Sequence, residues 1–415
     1  MYEFIMWTLV CVGVVFLILL AIIIVGKAWR EMVDARLQRL RRELEPAFFK
    51  YTVGTGPIRD YLPRPLRRDE HVLVERIFFD LGHVVKGSAR DRAREAFEHL
   101  GLVDETMRQL ESRRWWYRAE AAEKLGMMGS EKATQALIRR MSDPAAEVRV
   151  RVARALGSIR TKEAIRPLVG ALRDPGRWSA IRVAGILIGA GDDAAAILLE
   201  EFENLPPHAR IAAIDIFGRI RSLRAINLLR ELTRDSAPDV RARAAHALGN
   251  IGDPTSAGLL IEALVDREWA VRAMAARALG RLKEERSIDA LCRALGDQQW
   301  WVRTNAAEAL KNKGERGIKA LLSMLESRDS YAAHQAVQRL QESAVLDALI
   351  AQLGSSRDDE RQRALEVMAR LVKLRRTDLL TEMARNHPNA SIRQRLAIVL
   401  GLKPEPSPVQ VRSNR

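Results

Sequence analysis

Hydrophobic positions are distributed along this chain in three ways. From Phe4 to Gly26 they are continuous, and FIMWTLVCVGVVFLILLAIIIVG carries no charged side chain over 23 residues. From Lys27 to Pro46 they recur as a stripe of Trp29, Val33, Leu37, Leu40 and Leu44 at helical spacing, with most of the arginines opposite. Past Trp115 they recur in blocks of about thirty residues that resemble one another.

At about 1.5 Å per residue, the first run is longer than the roughly 30 Å needed to cross a bilayer, so it predicts a transmembrane helix over 4–26. It is too long for the apolar core of a signal peptide, has no basic segment before it and no small-residue cleavage site after it. Glu3 is the one charged side chain ahead of the run, whereas Lys27, Arg30, Arg36, Arg39, Arg41 and Arg42 follow it. The positive-inside rule then places the amino terminus outside a cytoplasmic (inner) membrane and everything after Lys27 in the cytoplasm. The amphipathic segment 27–46 reads as a juxtamembrane helix, able to continue the span, lie on anionic lipid, pair with a partner helix or dock on the body. Pro46 is expected to end it. Gly54, Gly56, Pro57, Pro63 and Pro65 mark a linker over 47–68, followed by a divergent helical cap over 69–114.

The repeating blocks share an arginine, two Ala-rich turns and Leu-Gly. They read YRAEAAEKLG (Tyr117–Gly126), VRVRVARALG (Val148–Gly157), ARIAAIDIFG (Ala209–Gly218), VRARAAHALG (Val240–Gly249), VRAMAARALG (Val271–Gly280), WVRTNAAEALK (Trp301–Lys311) and IRQRLAIVLG (Ile392–Gly401). The anchors are Arg118, Arg149, Arg210, Arg241, Arg272, Arg303 and Arg393, and the steps from Arg210 to Arg303 are 31 residues each. Weaker copies fit near Ile181, Ala333 and Arg361, which makes about ten repeats over 115–402. Each block holds a first helix, typified by TSAGLLIEAL (Thr255–Leu264), and the Ala-rich second helix. Such a pair cannot bury its apolar face alone, so neighbours stack. The predicted fold is all-α, an α-solenoid preceded by one membrane helix. Alanine lets the helices approach closely, and the glycine after leucine reads as a permissive helix end. The proline-rich tail 403–415 reads as disordered.

Composition narrows the picture. Only 5% of the chain is aromatic, which suits packed helices better than strands. Cys11 and Cys292 are the two cysteines, too few for a disulfide framework, and no Cys/His spacing suggests zinc. Lys and Arg outnumber Asp and Glu by 68 to 53, an excess compatible with nucleic acid, anionic lipid or an acidic partner.

The copies resemble HEAT-like repeats, in particular the short type also found in phycobilin lyases, over roughly Trp115 to Gly401. The resemblance implies an Asp that caps the turn between the two helices and an Arg that pairs along the stack. Here these are Asp143 with Arg149, Asp235 with Arg241, Asp266 with Arg272 and Asp297 with Arg303, six residues apart in each case. Such arginines are structural and do not count towards a nucleic-acid footprint.

Three function classes compete for this sequence. Trp115, Trp178, Trp269 and Trp300 stand three residues before their anchors, with Trp116 and Trp301 beside two of them. They are expected either to fill the seams between repeats or to form a ridge that anchors a protein partner. The column five residues after each anchor runs Glu123, Arg154, Ile186, Asp215, His246, Arg277, Glu308, Gln338, Glu366 and Ile398. Its signs alternate, which suits a protein partner better than a phosphate backbone and makes Arg154, His246 and Arg277 candidate contacts. An enzyme is the second class, by resemblance to phycobilin lyases or to deoxyhypusine hydroxylase, whose iron is held by His-Glu pairs. None of the seven histidines here is followed by Glu, and no phosphate loop or nucleophile motif stands out. Nucleic-acid binding, as in HEAT-like DNA glycosylases, is the third. The expectation is a membrane-anchored protein-binding scaffold with no catalytic residues, cofactor or metal.

Overall fold

A computed structural model describes residues 2–62, 87–324, 350–373 and 378–402, together with 66, 70, 71, 74, 75, 79, 332, 335 and 336. The weak repeat expected near Ala333, the column residue Gln338 and the tail 403–415 lie outside them. The described residues are helical, with no strand among them. They fall into two compact units, one of residues 1–171 with 185–193, the other of residues 172–184 with 194–415.

The first unit opens with α1 (Tyr2–Val53), a single helix of 52 residues. It runs through Pro46, where the sequence predicted its end. Proline removes one helical hydrogen bond and crowds the preceding turn. That cost is offset because the residues around it dock: Leu44, Phe48 and Tyr51 are buried, and Tyr51 exchanges bonds with Arg92 on the helix Ser88–His99. The Tyr51 hydroxyl donates to the Arg92 carbonyl at 3.0 Å, and Arg92 Nε donates to the Tyr51 carbonyl at 2.7 Å. The Arg92 guanidinium also lies over the Tyr51 ring at 4.1 Å. Part of the segment expected as linker is therefore the docked end of α1.

Among the described residues no helix is long and apolar enough to cross a membrane. Several apolar side chains of the run 4–26, those of residues 8–12 included, lie outside them. Trp7, Phe16, Leu17, Ile22, Ile23 and Val25 are described and exposed.

Repeat helices follow. In the first unit the second helices are α2 (Trp115–Met128) and α3 (Ala146–Ile159), which pack on each other. Leu102–Gln109 packs on α2 as the first helix of its hairpin, so pairing begins before Trp115. In the second unit α4 (Pro207–Ile220), α5 (Pro238–Ile251), α6 (Trp269–Leu279) and α7 (Trp300–Asn312) stack in order. Short first helices, Ile226–Leu232, Ala257–Ala263 and Ile288–Ala294, lie against α5, α6 and α7. The leucine position of the repeat is fully buried in six copies, at Leu125, Leu156, Phe217, Leu248, Leu279 and Leu310, and half-buried in the last, at Leu400.

The glycine after it has a different task from the one the sequence suggested. Gly126, Gly218 and Gly249 are inside their helices, not at the ends. A Cβ on Gly126 would stand 2.7 Å from Ala155 Cα, one on Gly218 2.8 Å from Ala247 Cα, and one on Gly249 2.5 Å from Ala278 Cα. The residue pair Gly–Ala thus sets how closely one second helix approaches the next. The left-handed caps are three residues further on, at Gly129 (φ 65°) and Gly252 (φ 83°). In two copies the motif glycine itself caps the helix: Gly280 after α6, with right-handed backbone, and Gly401 in the last copy, at φ 69°.

These two glycine roles separate in a mutant comparison. Helix propensity alone makes Gly249→Ala stabilising by roughly 1 kcal/mol. Overpacking against Ala278 makes it destabilising by about 1–3 kcal/mol, and the contact is backbone that cannot swing aside. We expect a net loss of about 1 kcal/mol for Gly249→Ala in urea unfolding. A neutral or stabilising outcome would show that the stack can open at no cost.

Candidate protein-interaction surface

The repeat arginines hold the stack together through two sets of bonds. One nitrogen, Nη1, turns back on its own repeat and donates to the two carbonyls that end the preceding turn. For Arg241 these are Asp235 and Ser236 at 2.9 and 3.0 Å; for Arg272, Asp266 and Arg267 at 2.8 and 3.2 Å; for Arg303, Asp297 and Gln298 at 2.8 and 2.9 Å. Arg149 does the same to Asp143 and Pro144 at 2.9 and 3.1 Å. The other edge of the guanidinium reaches forward to the aspartate of the next repeat, 25 residues on. Arg241 grips Asp266 at 2.8 and 2.9 Å, Arg272 grips Asp297 at 2.6 and 3.0 Å, and in the first unit Arg118 grips Asp143 at 2.7 and 2.8 Å. Residues six apart therefore meet through backbone, and the carboxylate partner comes from the neighbouring repeat.

The same carboxylates close the turn that starts each second helix. Asp143 accepts from the Ala145 N–H at 3.0 Å; Asp235, Asp266 and Asp297 accept from Ala237, Glu268 and Gln299 at 2.8 Å. The bond from Arg241 holds the Asp266 carboxyl below the usual carboxylate range, against the upward push of burial. For Asp143 and Asp297 burial pushes upward more strongly than any single bond opposes it. The bonds from Arg118 and Arg272, with those from the Ala145 and Gln299 amides, still bring both below that range.

The tryptophans divide into two groups. Trp115 and Trp116 on α2 are each 47% exposed, with their rings edge to face at 6.1 Å. In the second unit Trp269 on α6 is 43% exposed, and Trp300 and Trp301 on α7 are 46% and 56% exposed, edge to face at 4.7 Å. Trp178 does not join them: it is 9% exposed. The others lie in the first turn of their helices, whereas Trp178 precedes the helix Ala180–Ala190 and its backbone N–H donates to the Asp174 carbonyl at 3.0 Å, which folds this stretch into a turn. Tyr117, exposed beside Trp116 at 6.1 Å, is an addition that no pattern in the repeat singled out.

Of the column residues, Arg154 and Arg277 are exposed and His246 is half-buried. Burial first, then repulsion from Arg281 and Arg277, push the His246 imidazole below its usual range, against a pull from Asp215. Among the described residues no group of three His, Cys, Asp or Glu is placed to hold a metal ion.

The family described as HEAT repeats matches residues 103–189, 195–269 and 258–341, together more than half of the chain. The chain belongs to the HEAT-repeat family. The match begins at the hairpin formed by Leu102–Gln109 and α2, ahead of Trp115, and carries no phycobilin-lyase-type assignment. No curated protein is found to match. Similar solved structures include an engineered protein at 18% identity, covering 86% of this chain and 98% of its own, with a TM-score of 0.26. Human deoxyhypusine hydroxylase in complex with glycerol is 21% identical over 73% of this chain and 97% of its own, with a TM-score of 0.26. The karyopherin Kap121p bound to the extreme C-terminus of the protein phosphatase Cdc14p is 14% identical over 88% of this chain and 50% of its own, with a TM-score of 0.42. Likenesses this low say nothing of activity or partners.

The aspartate bonds generate a pH prediction. A carboxyl whose folded pKa lies below its unfolded value of about 3.9 contributes stability that is present above about pH 4 and lost as pH falls through the depressed value. Asp266→Asn keeps an oxygen for the turn but loses the charge that Arg241 grips. Breaking such a pair is expected to cost about 2 kcal/mol at pH 7, about thirtyfold in local opening. Hydrogen–deuterium exchange of the α6 amides would register it, and the difference from the parent should shrink below pH 4. An equal difference at pH 3 and pH 7 would deny the charge its role.

Proposed function

We propose that this protein is a membrane-anchored scaffold that binds partner proteins through its repeats and acts by binding, not catalysis. The observation that carries the binding reading is the exposure of Trp269, Trp300 and Trp301 on α6 and α7, with Trp115 and Trp116 on α2 as a second cluster in the other unit. Tryptophan at 43–56% exposure offers large, rigid apolar area at helix starts, the residue type and setting that dominate interface energies. The burial of the repeat arginines adds to this. Arg118, Arg241 and Arg272 are bonded to Asp143, Asp266 and Asp297, and are not available to phosphates.

The anchor reading rests on the uncharged run 4–26 within α1 and on the exposure of its described apolar side chains. Tethering would raise the local concentration of whatever the repeats hold. In this reading the chain crosses an inner membrane once, with its amino terminus outside and the repeats in the cytoplasm. The basic stretch 27–46, with Lys27, Arg36, Arg39, Arg41 and Arg42, is then placed to meet anionic headgroups. Docking of Leu44, Phe48 and Tyr51 on the first unit would tie that unit to the membrane surface.

Two experiments test this. Affinity capture with the detergent-solubilised, nuclease-treated chain should recover proteins that are lost when Trp269, Trp300 and Trp301 are changed to alanine, with helix content by circular dichroism unchanged. Recovery of the same proteins by the variant would remove the tryptophans from the interface. Separately, protease added to inside-out membrane vesicles should digest the repeats, while right-side-out vesicles protect them. The reverse pattern overturns the orientation, and release of the chain by alkaline carbonate overturns the anchor.

A further inference from the structure

Charge is unevenly distributed on the second helices of the second unit. Arg243 on α5 is paired with Asp215 on α4 at 2.5 Å. Some exposed arginines elsewhere are likewise paired across neighbouring repeats, as in Arg173 with Glu201 at 3.0 Å and Arg234 with Glu262 at 3.1 Å. Others are not, and three of these stand near one another. Arg221 caps α4, Arg277 is near the end of α6 and Arg281 just beyond it, and among the described residues none of them makes an ion pair with a carboxylate. The Arg281 guanidinium reaches back to Oδ1 of Asn250 on α5, and Asn250 lies against the end of α4, its Nδ2 3.4 Å from where a Cβ on Gly218 would stand. Burial first, then the like charges of Arg277 and Arg221, oppose the charge of Arg281. His246, one turn before Asn250 on the same helix, is half-buried near Arg281 and Arg277.

Arg221 carries a second, independent mark. Its backbone is left-handed, at φ 59° and ψ 42°, where the next repeat has Gly252 at φ 83°. A side chain with a Cβ is disfavoured there, and such strain concentrates where a side chain has a task. Here the side chain joins the two other unpaired arginines.

We infer that Arg221, Arg277 and Arg281, grouped around Asn250 and His246, form a binding site for an acidic segment of a partner protein, gripping its carboxylate or phosphate groups with paired guanidinium bonds. The inference rests on the protein-binding reading above and names the chemistry of the partner. Guanidinium forks match both oxyanions. The patch is short: Asp215 stands on α4 and Glu308 on α7, where a nucleic acid running along the stack would need the positive charge to continue. A protein segment therefore fits better than a polynucleotide.

The test uses the full-length chain in detergent and fluorescence anisotropy at near-physiological salt. The probes are a labelled twelve-residue peptide of Glu, Ser and Gly, its phosphoserine counterpart with Gln for Glu, a Gln-only counterpart, and a duplex DNA. Either acidic peptide should bind at least tenfold more tightly than the Gln-only one, and the stronger of the two identifies the oxyanion. Arg277→Gln and Arg281→Gln should each weaken it about fivefold or more, whereas Arg234→Gln, the same loss of charge at a paired site, should leave it unchanged. Arg221→Gly should also weaken binding while unfolding no earlier than the parent, because it relieves the strained cap; this variant guards against reading misfolding as lost contact. Equal binding of the Gln-only peptide, tighter binding of the DNA, or equal losses for Arg234→Gln and Arg277→Gln would overturn the inference. If it falls while tryptophan-dependent capture of proteins persists, the scaffold reading stands without the acidic partner.

Discussion

Asp266 and Asp297 each satisfy three demands with one residue. The carboxylate closes the turn before a second helix, receives two bonds from the arginine of the preceding repeat, and leaves its own carbonyl for the arginine that follows. A buried guanidinium is costly unless nearly all its donors are met, and here backbone and carboxylate meet them from two repeats. Because the bonds run both backward and forward, each hairpin's turn geometry depends on its neighbour. The stack of α5, α6 and α7 is cooperative at this polar chain as well as through its apolar interior.

The apolar interior imposes a matching constraint on distance. Alanines such as Ala244, Ala245, Ala275, Ala276, Ala306 and Ala307 are fully buried, and glycine opposite alanine lets the second helices approach until backbone nearly meets backbone. At that spacing a guanidinium on one helix reaches the carboxylate 25 residues further on, so the two devices fix the same repeat distance. With the anchor arginines bonded inside the stack, two features of the surface stand out. These are the aromatic rings on α2, α6 and α7 and the small basic group at the ends of α4 and α6. Both lie on helices that a neighbouring repeat holds rigid, which suits recognition without reorganisation.

Much of this was legible in the residues. The 31-residue steps announced stacked hairpins, because a period that long with apolar positions at helical spacing has no other way to bury its surface. The structural part of the arginine pattern was visible too, since arginine recurs within a segment otherwise made of Ala, Leu and Val. That arginine pairs along the stack followed from the family resemblance; which carboxylate it meets did not, and for Arg118, Arg241 and Arg272 it is the aspartate 25 residues on, while the residue six positions back offers its carbonyl to Arg241 and Arg272. Trp178 shared the spacing of the exposed tryptophans and yet is buried, because its helix begins two residues later. Pro46 read as a stop, and the burial of Phe48 and Tyr51 carried the helix past it.

The sequence by itself determined the class of fold, the pairing of helices and the continuous run of uncharged residues at the amino terminus. Those depend on period and composition, which are local along the chain. Tertiary structure decided which side chains are left over. Whether a tryptophan faces solvent, whether a glycine caps a helix or admits its neighbour, and whether an arginine meets a carboxylate all depend on what the adjacent repeat brings to the same few ångströms. That is a relation between residues 25 to 31 positions apart, which no single repeat contains.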